Sequence, residues 1–222
     1  MTAAAPSCAP SGTPSGAFAD ALRRHRLVAI LRGVERASLA ARVAALHEAG
    51  VRLIEVALSD AAALPTLEAL VRVAPADMRV GAGTVTTRAL AEAAEAAGAT
   101  FLVTPHVALP VITFARERGL GLLAGALTPS EIAAAREAGA DVIKLFPAAT
   151  VGPAHVKALL GPYPDLELVA VGGIGSGNLP AYLSAGAIGA GVGGALAGGD
   201  PADGFASAAR EARALIAQLG LP

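Results

Sequence analysis

Residues 98–139 read GATFLVTPHVALPVITFARERGLGLLAGALTPSEIAAAREAG, and their layout decides the fold. Two short apolar runs, FLVTP (101–105) and LGLLAG (120–125), alternate with two segments of helical composition, 109–118 and 130–138. Glycines at 98, 119 and 139 follow the helical segments, where the left-handed C′ position favours a residue without a side chain. Ser130 is placed to cap the second segment, with Glu131 behind it to suit the helix dipole. Each strand-and-helix unit takes about 20 residues.

The same unit recurs on both sides. Upstream lie LVAIL (27–31), LIEVAL (53–58) and RVGAGT (79–84), separated by helical segments 38–49, 61–73 and 88–97. Downstream lie DVIKLF (141–146), LELVAVGG (166–173) and IGAGVGG (188–194), with helical segments 153–160, 178–185 and 201–219. Ser38 is a second candidate cap, and Gly50 and Gly186 are further helix ends. Runs of this kind, mainly apolar and bounded by Gly, Pro and Thr, are expected of parallel strands buried on both faces. Eight alternating units predict a (β/α)₈ barrel over 17–222, with an extra helix at Phe18–Arg26. A doubly wound open sheet is the second choice, but no GxGxxG opens the first helix.

Composition agrees with a single packed domain. The 222 residues are 54% hydrophobic and 16% charged, with a formal net charge of −1. That excludes a disordered chain and argues against nucleic-acid or membrane-surface partners, which want a basic patch. No apolar run of roughly 18 residues escapes a charge or a Gly/Pro interruption, so no membrane span is expected. The one cysteine, Cys8, cannot form an internal disulfide and points to a reducing, cytoplasmic setting. It falls in residues 1–16, an Ala/Pro/Ser/Gly-rich stretch read as a flexible tail without signal-peptide character, and Cys8 is read as a bystander there.

The chemistry turns on one residue type. Of 17 basic residues only Lys144 and Lys157 are lysines. Arginine stays protonated near neutral pH, whereas a desolvated lysine can release its proton and attack a carbonyl. Strand alternation turns Val142, Lys144 and Phe146 into the barrel and Ile143 and Leu145 outward. Lys144 is therefore a candidate Schiff-base nucleophile, the alternatives being an amine that snorkels to the mouth or pairs for packing. Lys157, near His155 on a helix, reads as a solvated surface charge. By the same alternation Leu53, Glu55 and Ala57 face the interior. Strands 2 and 6 are both even-numbered and share interior layers, so Glu55 can meet Lys144 and exchange protons with it, or simply pair with it. Arg32, ending strand 1, can clamp a carboxylate or form a rim salt bridge.

Glycines late in the chain suggest a phosphate. VGG (171–173) follows strand 7 and GVGG (191–194) follows strand 8, the two loops that bind phosphate in many such barrels. Thr84 offers a hydroxyl at the end of strand 3. Pro105 and His106 end strand 4, His106 either lining the mouth or capping a loop. His25 and His47 read as surface residues. No spaced His/Cys/Asp/Glu cluster supports a metal.

In order, LVAILRGV, IEVAL, GAGTV, LVTP, DVIKLFPA, VGPAHVKAL, VAVGGI and GAGVGG resemble the class I 2-keto-3-deoxy-6-phospho-sugar-acid aldolases, over about residues 27–199. The resemblance implies a barrel, usually trimeric, working without metal or other cofactor, that cleaves its substrate reversibly to pyruvate and glyceraldehyde 3-phosphate. It implies Lys144 as the Schiff-base lysine and Glu55 as the general base. Arg32 and Thr84 would contact the pyruvyl end, with Phe146 beside the imine and Pro105 in the substrate wall. Gly172, Gly173, Gly193 and Gly194 would hold the phosphate. Ser59 stands where phosphogluconate members carry Arg, and with FPAAT (146–150) it favours the phosphogalactonate branch, the phosphogluconate substrate being the alternative. Ala195 stands where the family has a phosphate-binding Ser. A lost hydroxyl donor there weakens binding by roughly 1 kcal/mol and leaves an unphosphorylated substrate open. Two rivals remain: an isomerase or synthase acting on a phosphosugar, which gives a buried Lys144 no role, and a non-catalytic phosphosugar-binding barrel.

Overall fold

All eight apolar runs form strands, and each pairs in parallel with the next: β1 (Leu27–Leu31), β2 (Leu53–Ala57), β3 (Arg79–Gly83), β4 (Phe101–Val103), β5 (Gly121–Ala126), β6 (Val142–Leu145), β7 (Leu168–Val171) and β8 (Gly189–Val192). β8 pairs back onto β1, with Leu27 opposite Ala190, so the sheet closes and the open-sheet alternative is excluded. The computed structural model describes residues 14–140 and 142–220. Cys8 and most of the expected tail lie outside them. The first helix, α1 (Pro14–His25), includes residues 14–16, so the expected tail is shorter than residues 1–16.

Around the barrel run α2 (Leu39–Glu48), α3 (Ala63–Val73), α4 (Arg88–Ala96), α5 (Leu109–Arg118) and α6 (Pro129–Glu137). They are followed by α7 (Ala148–Val151), α8 (Pro153–Leu160), α9 (Leu179–Ser184), α10 (Gly194–Ala197) and α11 (Ala206–Gln218). α7 and α10 have four residues each, too short for a period of 3.6 to register in sequence. Segment 201–219 is not one helix; a 3-10 turn at Pro201–Asp203 precedes α11. The expected glycine stops hold: Gly50, Gly98, Gly119, Gly139 and Gly186 all have positive φ. The serine caps do not. α6 starts from Thr128, whose side chain accepts from the Glu131 amide while Glu131 accepts from the Thr128 amide, a capping box. The Ser38 hydroxyl donates to the Glu35 carbonyl and caps nothing. No helix among the described residues is long and apolar enough to cross a membrane.

The core has two shells. Outward-facing strand residues such as Ile54, Ile143 and Leu145 pack against the helices, and a second cluster fills the lumen. The lumen is closed at the N-terminal end of the strands. There α1 inserts Phe18 and Leu22, and the Phe18 and Phe101 rings stack with centroids 4.7 Å apart. Gly121 and Gly81 make room for these rings: a Cβ at either would lie 2.4 Å from Phe18 or Phe101 respectively. Above the rings, Val28, Leu53, Val103, Leu123, Val142 and Val169 complete the apolar plug. The polar lumen residues stand above that plug, at the C-terminal ends of the strands.

Candidate active site

At the next inward-facing position of β2 and β6 the lining changes. Beside the plug residue Leu53, two positions on along β2, stands Glu55; beside Val142 on β6 stands Lys144. Both turn inward, as alternation requires. Their side chains line one cavity of about 550 Å³, together with Arg32, Thr84, Pro105 and Phe146. Its far wall comes from the loops after β7 and β8, with Gly172, Gly173, Gly193 and Gly194. Ten of the eleven residues put forward from the sequence thus meet in one place.

Burial sets the electrostatics. Glu55 is 2% exposed and its Oε2 has no hydrogen-bond partner. Desolvation pushes its pKa up to about 7, against the opposing pull of the Lys144 and Arg32 charges. Lys144 is 5% exposed. Desolvation pulls its pKa down and the Arg32 charge adds to that, while Glu55 acts in the opposite sense. Both groups are therefore moved toward the range where they exchange protons near neutral pH. The Lys144 Nζ sits 4.7 Å from the Phe146 ring centroid, a face that stabilises a cation formed at that nitrogen. A buried carboxylate with an orphan oxygen is uncommon and needs an explanation; a proton-transfer role supplies one.

The loops hold this geometry by close approach. β3 ends at Gly83, where an added Cβ would lie 2.3 Å from Glu55 Oε1. Gly83→Ala must displace the carboxylate, and displacements of this order cost about 100-fold in rate. We expect kcat to fall by that amount while circular dichroism stays that of the parent. An unchanged kcat would detach Glu55 from the chemistry. The next residue, Thr84, is a non-glycine at φ 59, a strained conformation that tends to mark functional sites. Gly172, at φ 93, lies flat against Phe146, whose ring carbon a Cβ would approach to 3.0 Å.

Three supporting residues escaped the sequence reading. Thr104 is fully buried; its hydroxyl donates to the His106 carbonyl (2.7 Å) and accepts from the Gly125 amide (2.9 Å), which fixes the turn carrying Pro105. Asn178 donates to the Gly173 carbonyl (2.8 Å) and holds the β7 loop. Ile30 supplies apolar lining, and strand alternation from Arg32 was the signal for it.

Other expectations sort themselves. Arg32 forms no ion pair or hydrogen bond among the described residues, so the rim salt bridge is not made. His106 is exposed and lies outside the cavity wall. Ser59 is also exposed and outside the wall, its hydroxyl 3.4 Å from the Ala57 carbonyl. Ala57 lines a separate hollow beneath the loops after β1 and β2. Lys157 is exposed, while His25 and His47 are half-buried, His47 against Asp77 at 2.7 Å.

Comparison with known proteins points one way. The profile described as "Aldolase: KDPG and KHG aldolase" matches residues 18–203. The probable 2-dehydro-3-deoxy-6-phosphogalactonate aldolase of Rhizobium meliloti is 38% identical over 171 residues, covering 77% of this chain and 81% of that protein. A native KDPGal structure superposes with a TM-score of 0.80 at 33% identity, covering 86% of this chain and 93% of that one. The KDPG aldolase of Legionella pneumophila, with pyruvate captured at low pH as a covalent carbinolamine intermediate, superposes with a TM-score of 0.79 at 25% identity, covering 91% and 97%.

Proposed function

The chain belongs to the KDPG and KHG aldolase family, and we propose that it cleaves 2-dehydro-3-deoxy-6-phosphogalactonate to pyruvate and D-glyceraldehyde 3-phosphate through an imine on Lys144. The observation that carries this reading is the pairing of a desolvated lumen lysine with a desolvated glutamate in one cavity.

The steps follow from the positions. Neutral Lys144 Nζ attacks the C2 keto carbon, and the carbonyl oxygen takes up a proton. Loss of water, with Glu55 carrying the proton, leaves a protonated imine. Ionised Glu55 then removes the C4 hydroxyl proton. The C3–C4 bond breaks, its electron pair moving into the iminium to give an enamine, and the aldehyde departs. Glu55 returns the proton to C3, and water hydrolyses the pyruvate imine to pyruvate and free amine. Arg32, unpaired at the mouth, suits the substrate carboxylate. Thr84 offers its hydroxyl to the same end, and the Phe146 face suits the iminium charge. The backbone of Gly172, Gly173, Gly193 and Gly194 suits the phosphate, since bare glycine lets an anion approach the amides.

The branch within the family rests on Ser59 and on the phosphogalactonate relative. Because Ser59 lies outside the cavity wall, its contribution is to leave the β2 loop without a long cation rather than to touch substrate. The test is pyruvate release from the 6-phosphogalactonate compound and its C4 epimer, the 6-phosphogluconate, side by side. We expect a higher kcat/KM for the galacto compound; equal or reversed rates would assign the protein to the phosphogluconate substrate instead. A homotrimer and a cytoplasmic location complete this reading, the first on the resemblance stated above and the second on the lone cysteine of the sequence.

A further inference from the structure

Among the described residues, Arg42 is the one buried cation that the chemistry above does not use. It lies on α2, outside the barrel, and is 6% exposed. Among the described residues no carboxylate pairs with it, and its Nε has no hydrogen-bond partner. Its guanidinium rests on the Phe205 ring, 4.1 Å from the centroid. One NH1 group donates to the carbonyl of Gly198. A buried charge without a counter-charge is costly, and burying one is worthwhile where its field or its geometry is used.

Gly198 explains what is being held. It is the C-cap of α10, the four-residue helix whose N-cap is Gly193. Gly193, Gly194 and Ala195 form the cavity wall at this end, and none of them carries a side-chain donor. Leu196, fully buried, fixes the middle of the turn. Arg42 fixes its far end, roughly 6 Å along the axis from the wall. Phe205 is itself clamped, at φ 61 and fully buried, with Gly199 so close that a Cβ there would meet its ring at 3.2 Å.

We propose that Arg42 is a positioning residue for the phosphate end of the substrate: it pins the β8–α10 turn through Gly198 and sets a permanent positive charge behind a wall that offers only backbone amides. This rests on the reading that Gly193 and Gly194 face the phosphate. It assigns selectivity for the phosphorylated substrate to a side chain that touches neither the substrate nor Lys144.

The test compares 2-dehydro-3-deoxy-6-phosphogalactonate with the same acid lacking the phosphate, in the full-length protein and in Arg42→Met, with inorganic phosphate as a competitive inhibitor. Loss of binding common to ground and transition states raises KM and spares kcat, so Arg42→Met is expected to raise KM for the phosphorylated acid and Ki for phosphate about tenfold. kcat, and kcat/KM for the unphosphorylated acid, should stay within about twofold. Arg42→Lys, which keeps the charge, should recover part of the loss. An equal loss on both substrates, or no change on either, overturns the inference and leaves Arg42 a packing residue. If Arg42→Met does not fold, Phe205→Leu keeps the cation, removes the ring that seats it, and is read in the same way. A wild-type protein that treats both acids alike and ignores inorganic phosphate would instead remove the phosphate-end reading, a failure visible before any variant is made.

Discussion

Lys144→Arg is expected to lower turnover on the order of 10⁵-fold, the scale on which losing a covalent nucleophile is felt. The substitution keeps a positive charge beside Glu55 and against Phe146, so the electrostatic frame of the site survives. What it removes is an amine able to be neutral. Guanidinium does not deprotonate near neutral pH, even buried. Borohydride reduction in the presence of pyruvate supplies the second readout: a stable adduct on the peptide containing Lys144 in the wild type, and none in the variant. Near-wild-type turnover by Lys144→Arg would end the imine mechanism. Turnover lost with the adduct retained on another residue would move the nucleophile elsewhere.

Glu55→Gln is expected to cost between about 10²- and 10⁴-fold in kcat, the usual range for a positioned acid–base group. The variant is nearly isosteric and leaves Gly83 undisturbed. Its pH dependence is the sharper readout. Burial raises the Glu55 pKa to about 7, so the ionised base accumulates as pH rises through neutrality. The neutral amine of Lys144 also accumulates with rising pH, and burial brings that change down from the ordinary lysine range. Wild-type kcat/KM should therefore climb through about pH 7. In Glu55→Gln the glutamate's part of that rise disappears. The amine also loses the carboxylate that favoured its charged form, so its own titration moves lower. A wild-type profile flat across pH 6 to 8, roughly a unit either side of that pKa, would show that Glu55 is not the base.

Much of this was legible in the chain because barrel strands are buried on both faces. Polar residues inside such strands have few reasons to be there, so Glu55 and Lys144 stood out against their neighbours. The near-absence of lysine sharpened the second of them. The glycine stops were legible because a positive φ is a local demand. The N-cap of α6 was misplaced at Ser130 because Thr128 and Ser130 offer the same chemistry, and Pro129 between them fits the first turn of a helix. α10 was hidden in its glycines, being a single turn. Ser59 was put forward because it stands where phosphogluconate members of the resembled family carry Arg; a matching position in the chain does not say where a short side chain points, and its hydroxyl turns to the Ala57 carbonyl instead. Arg42 gave no signal at all. Its burial depends on Phe205, far along the chain, and an arginine on an alanine-rich helix reads as solvated until that ring is in place.

The stacked rings under the barrel make the lumen a cul-de-sac. With Phe18 and Phe101 sealing one end, the described residues leave the cavity its opening at the C-terminal ends of the strands, where Arg32 and the β7 and β8 loops line it. Whatever sits deepest enters first and leaves last. On the imine reading proposed above, the three-carbon keto acid is tethered at the blind end by Lys144, and the phosphorylated aldehyde lies between it and the exit. On that reading cleavage is an ordered, single-file process, aldehyde out before pyruvate. The synthetic direction has to load pyruvate before its aldehyde partner can enter.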